Sequence, residues 1–551
     1  MTVETGANTE TAVSEYKTGF FSGRTWRVLR ENLVAYAFLT PALLIIFTFG
    51  IFPIFFAGYV SLYKWRIKQN EWRGLDNYIN AMGDVAYVFI GLIVIALLVA
   101  GIGAVYKATK RAKSAQLPFY APIFALIPGG LISYGIIQIL LRGITFFAWE
   151  EAIEAGEAAR LGNVAIGLAV IVGGTILAVI ARRYQAKLAP VAFRSSTPDF
   201  TVTAVTFTLT TGIALILGRF AYTTLKASDR YGLAVVRIQY LIGALAILAV
   251  GYAIWWWGTK QDSDWKWVLS IIGGTAFIAG GVWLATIWPV ISMDADADFY
   301  QSLSVTIWYS IGTVPLQLGI SMVIAYMLYQ PIKGQAMFRI IFFIPFIAPA
   351  VATAGIFQAM FNLRDSSMAN QFFALLGGDP LRWLREPASA ISAIAVGFGL
   401  ESAADWTIGG PSLALLVIIL YNIWVYVGYD TVIFLAGLAN VPFTLYEAAK
   451  IDGASSWQLF RHITFPLLSP TTYFLSVVSV IGTFKAFNHI YVLREAAAQG
   501  TVDAASVHFF VTFQRASRFG YSTSMAVVLF VVILTLYLIQ NRIAAKSVHY
   551  A

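Results

Sequence analysis

Glu447–Pro470 reads EAAKIDGASSWQLFRHITFPLLSP, a polar, helix-forming segment set between two long apolar runs. Glu447, Ala448, Ala449 and Lys450 are good helix formers, and Gly453 supplies the permissive backbone on which one helix ends and the chain turns. A second short helix is expected over Ala454–His462. There Trp457, Phe460 and, one turn on, Ile463 and Thr464 recur near helical spacing beside Gln458, Arg461 and His462. Pro466 falls near the start of the next apolar run, where its missing donor costs little. On its residues alone the segment is a helical connector between two membrane spans.

Composition sets the surroundings of that connector. Of 551 residues 59% are hydrophobic and 12% charged, with a mean hydropathy of +0.73, whereas a soluble domain carries about 25% charged residues. The chain therefore reads as an all-α polytopic membrane protein. It has no cysteine, which excludes disulfides, thiolate metal sites and cysteine nucleophiles. His462, His489, His508 and His549 are too scattered for a metal cluster. The sequence has no G-x-x-x-x-G-K-[ST] phosphate loop and no His-Glu-x-x-His motif, so no catalytic residue, metal or cofactor is expected. The net charge of +9 is explained by basic loops beside apolar spans, not by nucleic-acid binding.

The spacing EAA-x3-G-x9-I-x-L-P is met by Glu447, Ala448, Ala449, Gly453, Ile463 and Pro466, with Phe465 in place of the usual Leu. It resembles the signature of the membrane subunits of binding-protein-dependent ABC importers. Leu39-Thr-Pro-Ala-Leu, Phe52-Pro53 and Gly74-Leu-Asp-Asn-Tyr78 look like the opening of a sugar-type, maltose-permease-like subunit. Asp298-Phe-Tyr-Gln-Ser-Leu303 and the Lys333-Gly, Phe338-Arg, Phe342-Phe-Ile-Pro345 run resemble the same group, which Val305 departs from where many members have Asn. The resemblance covers about Leu33–Tyr78 and Asp298–Ile543. It implies a type I ABC importer permease core of six helices, with Glu447, Ala448, Ala449, Asp452, Gly453, Phe460, Ile463 and Pro466 coupling it to an ATPase dimer. It further implies a second permease subunit of the same family, an extracytoplasmic solute-binding protein, a sugar or oligosaccharide substrate, and the cytoplasmic membrane of a prokaryote with both termini inside. ATP hydrolysis then belongs to a partner chain, and this chain is not an enzyme.

Along the chain the expected parts are an N-terminal tail (1–32), a first permease helix and outer loop (33–84), an inserted helical region (85–297) and a core (298–551). The tail is polar and lacks a cleavage-site pattern, which favours a cytoplasmic tail over a removed signal peptide. The first span, about Leu33–Leu62, is interrupted by Pro41 and Pro53. The insert holds six candidate helices, about Val85–Tyr106, Phe119–Leu141, Asn163–Ala181, Val202–Tyr222, Val235–Trp257 and Trp267–Ile291, for about twelve spans in all. An even number returns the chain to the side it left. Loop charge supports this in part. Lys107, Lys110, Arg111 and Lys113, with Arg182, Arg183 and Lys187, fall inside, while Glu150, Glu151, Glu154 and Glu157 and Asp294, Asp296 and Asp298 fall outside. Lys64, Arg66 and Lys68, and Lys226, Arg230 and Arg237, fall outside against the rule. IGLIVI, IGLAVI and IGALAI begin at Ile90, Ile166 and Ile242, 76 residues apart (166 − 90 = 242 − 166 = 76). Three tandem helical hairpins would fit that period, and so would chance recurrence in membrane helices.

In the core, spans are expected at about Leu303–Tyr329, Ile340–Phe361, Ser412–Ala439, Tyr473–Leu493 and Ser524–Ile543, with Asn362–Gly410 an outside loop. Asn422, Trp424, Tyr426 and Tyr429 place aromatic faces and an amide in mid-span, chemistry that suits sugar rings and their hydroxyls. Lys485, Phe487, Asn488 and His489 fall in the outer half of a span, where ionisable groups are costly unless they face a cavity or partner. By resemblance these two segments line the substrate pathway, against helix packing, interfacial aromatics and, for Lys485, snorkelling. The competing class is a self-contained, ion-coupled secondary transporter, for which twelve spans is also common.

Overall fold

A computed structural model of the chain describes residues 23–66, 69–118, 120–146, 157–188, 200–260, 265–406 and 410–547. The tail to residue 22, Lys68, Glu150, Glu151 and Glu154 lie outside them. The chain forms two compact units, Met1–Ala57 and Gly58–Ala551. In the first, α1 (Gly23–Ile46) passes Pro41 without breaking and continues through a π-helical turn, Phe47–Ile51, into the start of α2 (Phe52–Val60), whose last residues belong to the second unit. The wider turn lies just before Pro53, where a lost backbone donor is most easily absorbed.

The second unit opens with a short antiparallel hairpin, β1 (Tyr63–Trp65) and β2 (Gln69–Trp72), and α3 (Asp76–Met82). Six long helices follow: α4 (Val85–Ser114), α5 (Leu126–Phe146), α6 (Glu157–Leu188), α7 (Thr201–Ala227), α8 (Tyr231–Gly258) and α9 (Lys266–Ile291). Their number matches the six anticipated, but they are not three tandem hairpins. Instead α5 packs on α6, α4 closes on α7, and α8 pairs with α9. Close approach between small residues fixes these partners. A Cβ on Gly135 of α5 would lie 2.7 Å from the Gly167 carbonyl of α6, and one on Gly101 of α4 would lie 2.9 Å from Thr210 of α7. The three similar hexapeptides are not equivalent, since Gly91 faces open space, Gly167 packs against Ile139, and Gly243 makes ordinary contact with Trp283.

The remaining chain forms α10 (Ala297–Tyr329), α11 (Gln335–Ile347), α12 (Ala350–Met360), α13 (Met368–Leu375), α14 (Ala390–Gly397), α15 (Leu413–Ala439), α16 (Phe443–Ile451), α17 (Ser456–Leu459), α18 (Phe465–Leu467), α19 (Ser469–Phe484), α20 (Asn488–Leu493), α21 (Ala505–Ala516) and α22 (Phe519–Ser547). α10 and α15 run side by side in one direction. Val314, Leu318, Met322, Ala325 and Leu328 bury against Phe434, Leu435 and Leu438. Among the described residues ten helices are long and apolar enough to cross a membrane, and two bent pairs raise the number to twelve.

Three expectations need correction. The span expected at Ile340–Phe361 is a pair, α11 and α12, bent by 96°. Ala348 is extended there (ψ 143) ahead of Pro349, because a residue before proline is driven out of helical backbone. The span expected at Tyr473–Leu493 leaves the helix after Phe484, and Ser506 and the Phe487–Phe510 ring pair, 4.6 Å apart, hold the break from outside. The expected loop Asn362–Gly410 is in large part folded. The Asn370 side-chain carbonyl accepts from the Leu381 N–H (2.9 Å) and from the indole N–H of Trp383 (2.7 Å), so α13 is tied to the chain that leads into α14.

Candidate functional site

Residues 443–468 fold as a compact helical hairpin. α16 stops at Asp452, and Gly453 turns the chain in left-handed backbone (φ +80) that a β-carbon disfavours. Ser455 then caps α17 with a reciprocal capping box, its hydroxyl on the Gln458 N–H and the Gln458 side chain on its own N–H. The interior is Val441, Tyr446 and Leu459, flanked by Ala449, Ala454, Ile463 and Leu467. Tyr446 shares a 3.0 Å hydrogen bond with Thr464 across the two arms, and burial pushes its phenol above the ordinary value, so the hydroxyl keeps its proton. A π-helical turn, Phe460–Thr464, leads into α18, which holds Pro466 in its first turn.

This arrangement sorts the loop residues into two groups. Glu447, Ala448, Asp452 and Gly453 are exposed, whereas Ala449, Phe460, Ile463 and Pro466 are half-buried. Phe460 stacks with Trp457 (5.7 Å) and meets Tyr326 of α10 edge-on (5.1 Å), which fastens the hairpin to the long helix beside it. Ile451 and Trp457 are 85% and 65% exposed. Neither residue is part of the EAA spacing.

The second constellation lies along the seam between α10 and α15. Asn422 donates to Gln317 Oε1 (3.0 Å), and Gln317 Nε2 donates to Asp430 Oδ2 (2.6 Å), all three being buried. Toward the end of the bundle away from the hairpin, His489 shares a 2.7 Å hydrogen bond with Tyr309 and stacks on Tyr421 at 5.0 Å. Tyr421 in turn shares 2.7 Å with Thr353 of α12. Tyr429 stacks on Phe346 of α11 (4.5 Å), and Tyr426 meets the same ring edge-on. Trp424, Tyr426, Lys485 and Asn488 are exposed, Tyr429 and Phe487 half-buried, and Asn422 and His489 enclosed by polar partners. Sequence reasoning passed over Gln317, Asp430, Tyr309 and Thr353. Asp430 carried a usable signal as the lone acid of an apolar run. Among the described residues no group of three or more His, Cys, Asp or Glu could hold a metal.

Comparison with known proteins places the chain in a family. Residues 317–549 match the family described as "binding-protein-dependent transport system inner membrane component", a range that includes the hairpin and the second constellation apart from Tyr309 and leaves 85–297 outside. The chain is 32% identical over 260 residues to the probable ABC transporter permease protein YesP of Bacillus subtilis (strain 168), covering 46% of this chain and 75% of that protein. It is 29% identical over 250 residues to the lactose transport system permease protein LacF of Rhizobium radiobacter, covering 44% and 76%. The trehalose/maltose transport system permease protein MalF of Thermococcus litoralis is 27% identical over 246 residues, with 45% and 75% covered. A crystal structure of a bacterial ABC transporter that imports alginate aligns with a TM-score of 0.39 at 21% identity, over 48% of this chain and 82% of that one. By its identity to YesP over three quarters of that protein, the chain belongs to the multi-pass permeases of binding-protein-dependent ABC transport systems.

Proposed function

We propose that this chain is a permease subunit of an ABC importer for a sugar or oligosaccharide, coupled through residues 443–468 to an ATPase dimer that hydrolyses ATP on its own chains. The observation that carries the reading is the exposed face of that hairpin. Glu447, Ile451, Asp452 and Trp457 stand clear of the bundle, while Phe460 and Tyr446 anchor it to α10 and to its own second arm. A lever of this kind moves the α10–α15 seam when its partner moves. Sugar as substrate follows the names of LacF and MalF and the aromatic and amide groups at Asn422, Trp424, Tyr426, Tyr429, Phe487 and Asn488, with Lys485 at the break after α19. Asn422 and His489 become reachable by substrate only when the seam opens, since in this conformation both are buried. A second permease subunit and an extracytoplasmic solute-binding protein complete the assembly, with the hairpin and both termini on the cytoplasmic side. The chain then divides as tail 1–32, first helix and outer loop 33–84, insert 85–297 and core 298–551.

The test is Glu447→Lys and Gly453→Val in the assembled transporter. No atom lies within 4 Å of a Cβ built at Gly453, so valine there strains the turn by about 1–2 kcal/mol without a clash. Both variants are expected to insert normally and to lose ATP-driven uptake and ATPase co-purification. Wild-type uptake in both would sink the reading.

A further inference from the structure

Lys64 and Arg66 sit on the wrong side for the charge rule, and the fold gathers more positive charge around them. A cavity of about 430 Å³ opens at the end of the bundle opposite the 443–468 hairpin, lined by Lys64, Arg66, Arg73 and Arg518 and by the carboxylates of Asp294 and Asp296. Both carboxylates are committed elsewhere. Asp294 accepts from Arg230 and Arg237 of the insert, 2.6 Å each. Asp296 caps α10 through the Asp298 and Phe299 N–H groups and accepts from the Tyr521 hydroxyl at 2.5 Å. Lys64 and Arg73 share one carboxylate, Glu71, at 3.6 Å each. Among the described residues Arg66 and Arg518 have no carboxylate within ion-pair distance.

The wall that carries these cations is built, not loose. The Asn77 amide donates to the carbonyls of Ser61 (2.7 Å) and Tyr63 (3.0 Å), and Tyr78 shares 2.6 Å with Ser61, which pins the β1 end of the hairpin to α3. Gly520 lets α22 close directly on the Tyr63 backbone. We propose that this cavity binds a phosphate group. Guanidinium forks match its several oxygens, and Lys64, Arg66, Arg73 and Arg518 outnumber the carboxylates of Asp294, Asp296 and Glu71, which leaves the cavity electropositive. The cavity lies at the starts of the candidate spans Ala297–Tyr329 and Phe519–Arg542, the level at which lipid phosphates lie. Trp65 and Tyr521 in its wall are residue types enriched at that level. The phosphate therefore comes from an anionic lipid headgroup or from a soluble phosphate ester, and the two sources are separable.

The purified full chain in neutral detergent is titrated with dihexanoyl phosphatidylglycerol, with dihexanoyl phosphatidylcholine and with inorganic phosphate, and its thermal midpoint is followed. Saturable stabilisation by phosphatidylglycerol beyond phosphatidylcholine supports the site with lipid as source, and saturation by inorganic phosphate supports it with a soluble source. The double variant Arg66→Gln with Arg518→Gln should need at least about tenfold more probe. Arg66→Gln alone, on an exposed turn, serves if the double variant does not fold. An equal and non-saturable response to the two lipids with none to inorganic phosphate overturns the proposal, as does an unshifted titration in the variants.

Discussion

Asp430 is the single acid among the 27 residues of α15, and its carboxylate is buried with Gln317 donating to it at 2.6 Å. Gln317 also accepts from Asn422, so one side chain satisfies two buried partners on the facing helix. Removing the hub is therefore worse than changing a terminus. Gln317→Leu strands both partners and should cost about 1–3 kcal/mol of stability. Asp430→Asn keeps a hydrogen-bonding group of the same shape and should cost less. Thermal unfolding of the two variants gives the order, and a larger loss from Asp430→Asn would contradict the hub. The amide and aromatic groups of α15 were legible in the sequence because such groups are few in an apolar run. Their directions were not, because α15 is apolar all round and offers no polar face against which to phase a 3.6-residue period. That is why Asn422 and Trp424, two residues apart, prove to be buried and exposed respectively.

Helix pairing depends on features that a single stretch does not display. At Gly428 the backbone of α11 presses directly on α15, and a Cβ there would collide with the carbonyl of Phe342. Gly428→Val should destabilise the chain by about 3 kcal/mol or more, because backbone cannot yield as a side-chain tip can. Gly319→Ala, with open space around the new methyl group, should hold or raise the thermal midpoint, since alanine suits a helix interior better than glycine by about 0.5–1 kcal/mol. Equal midpoints for both variants would mean that α11 and α15 do not meet closely. The EAA hairpin was readable because its helix formers, glycine turn and capping residues are all local in sequence. The nested pairing of α4 with α7 around α5 and α6 was not, since it is decided by which small residues face each other far apart in the chain. The turn between α9 and α10 adds a pH dependence. Hydrogen bonds from Arg237 and then Arg230 hold the Asp294 carboxyl below its ordinary 3.8. A depressed folded pKa means that the contribution is fully present above about 3.8 and is lost as pH falls through the lower folded value. The stability gap between wild type and Asp294→Asn should thus be constant from neutral pH to about 4 and close below it. A gap that closes at higher pH would show that the arginines do not hold this carboxylate.

Among the described residues, hydrophobic length alone recovered ten spans as single helices and, with each bent pair counted as one span, the twelve expected, because a lipid bilayer demands about twenty apolar residues per crossing wherever the crossing occurs. It could not recover the 96° bend between α11 and α12 or the folded segment 362–406, which depend on a proline in context and on Asn370 finding its partners. The family match covers 317–549 and leaves 85–297 outside. On the proposed function, energy would enter at the exposed, anchored hairpin and open the polar seam between α10 and α15 further along the bundle. Ion coupling makes no use of such a hairpin. The decisive measurement is uptake of a radiolabelled oligosaccharide into proteoliposomes holding this chain with its partner permease, ATPase and solute-binding protein. Uptake should require ATP, persist when ionophores abolish every ion gradient, and vanish with Glu447→Lys. Uptake by this chain alone, driven by a proton or sodium gradient without ATP, would contradict the account.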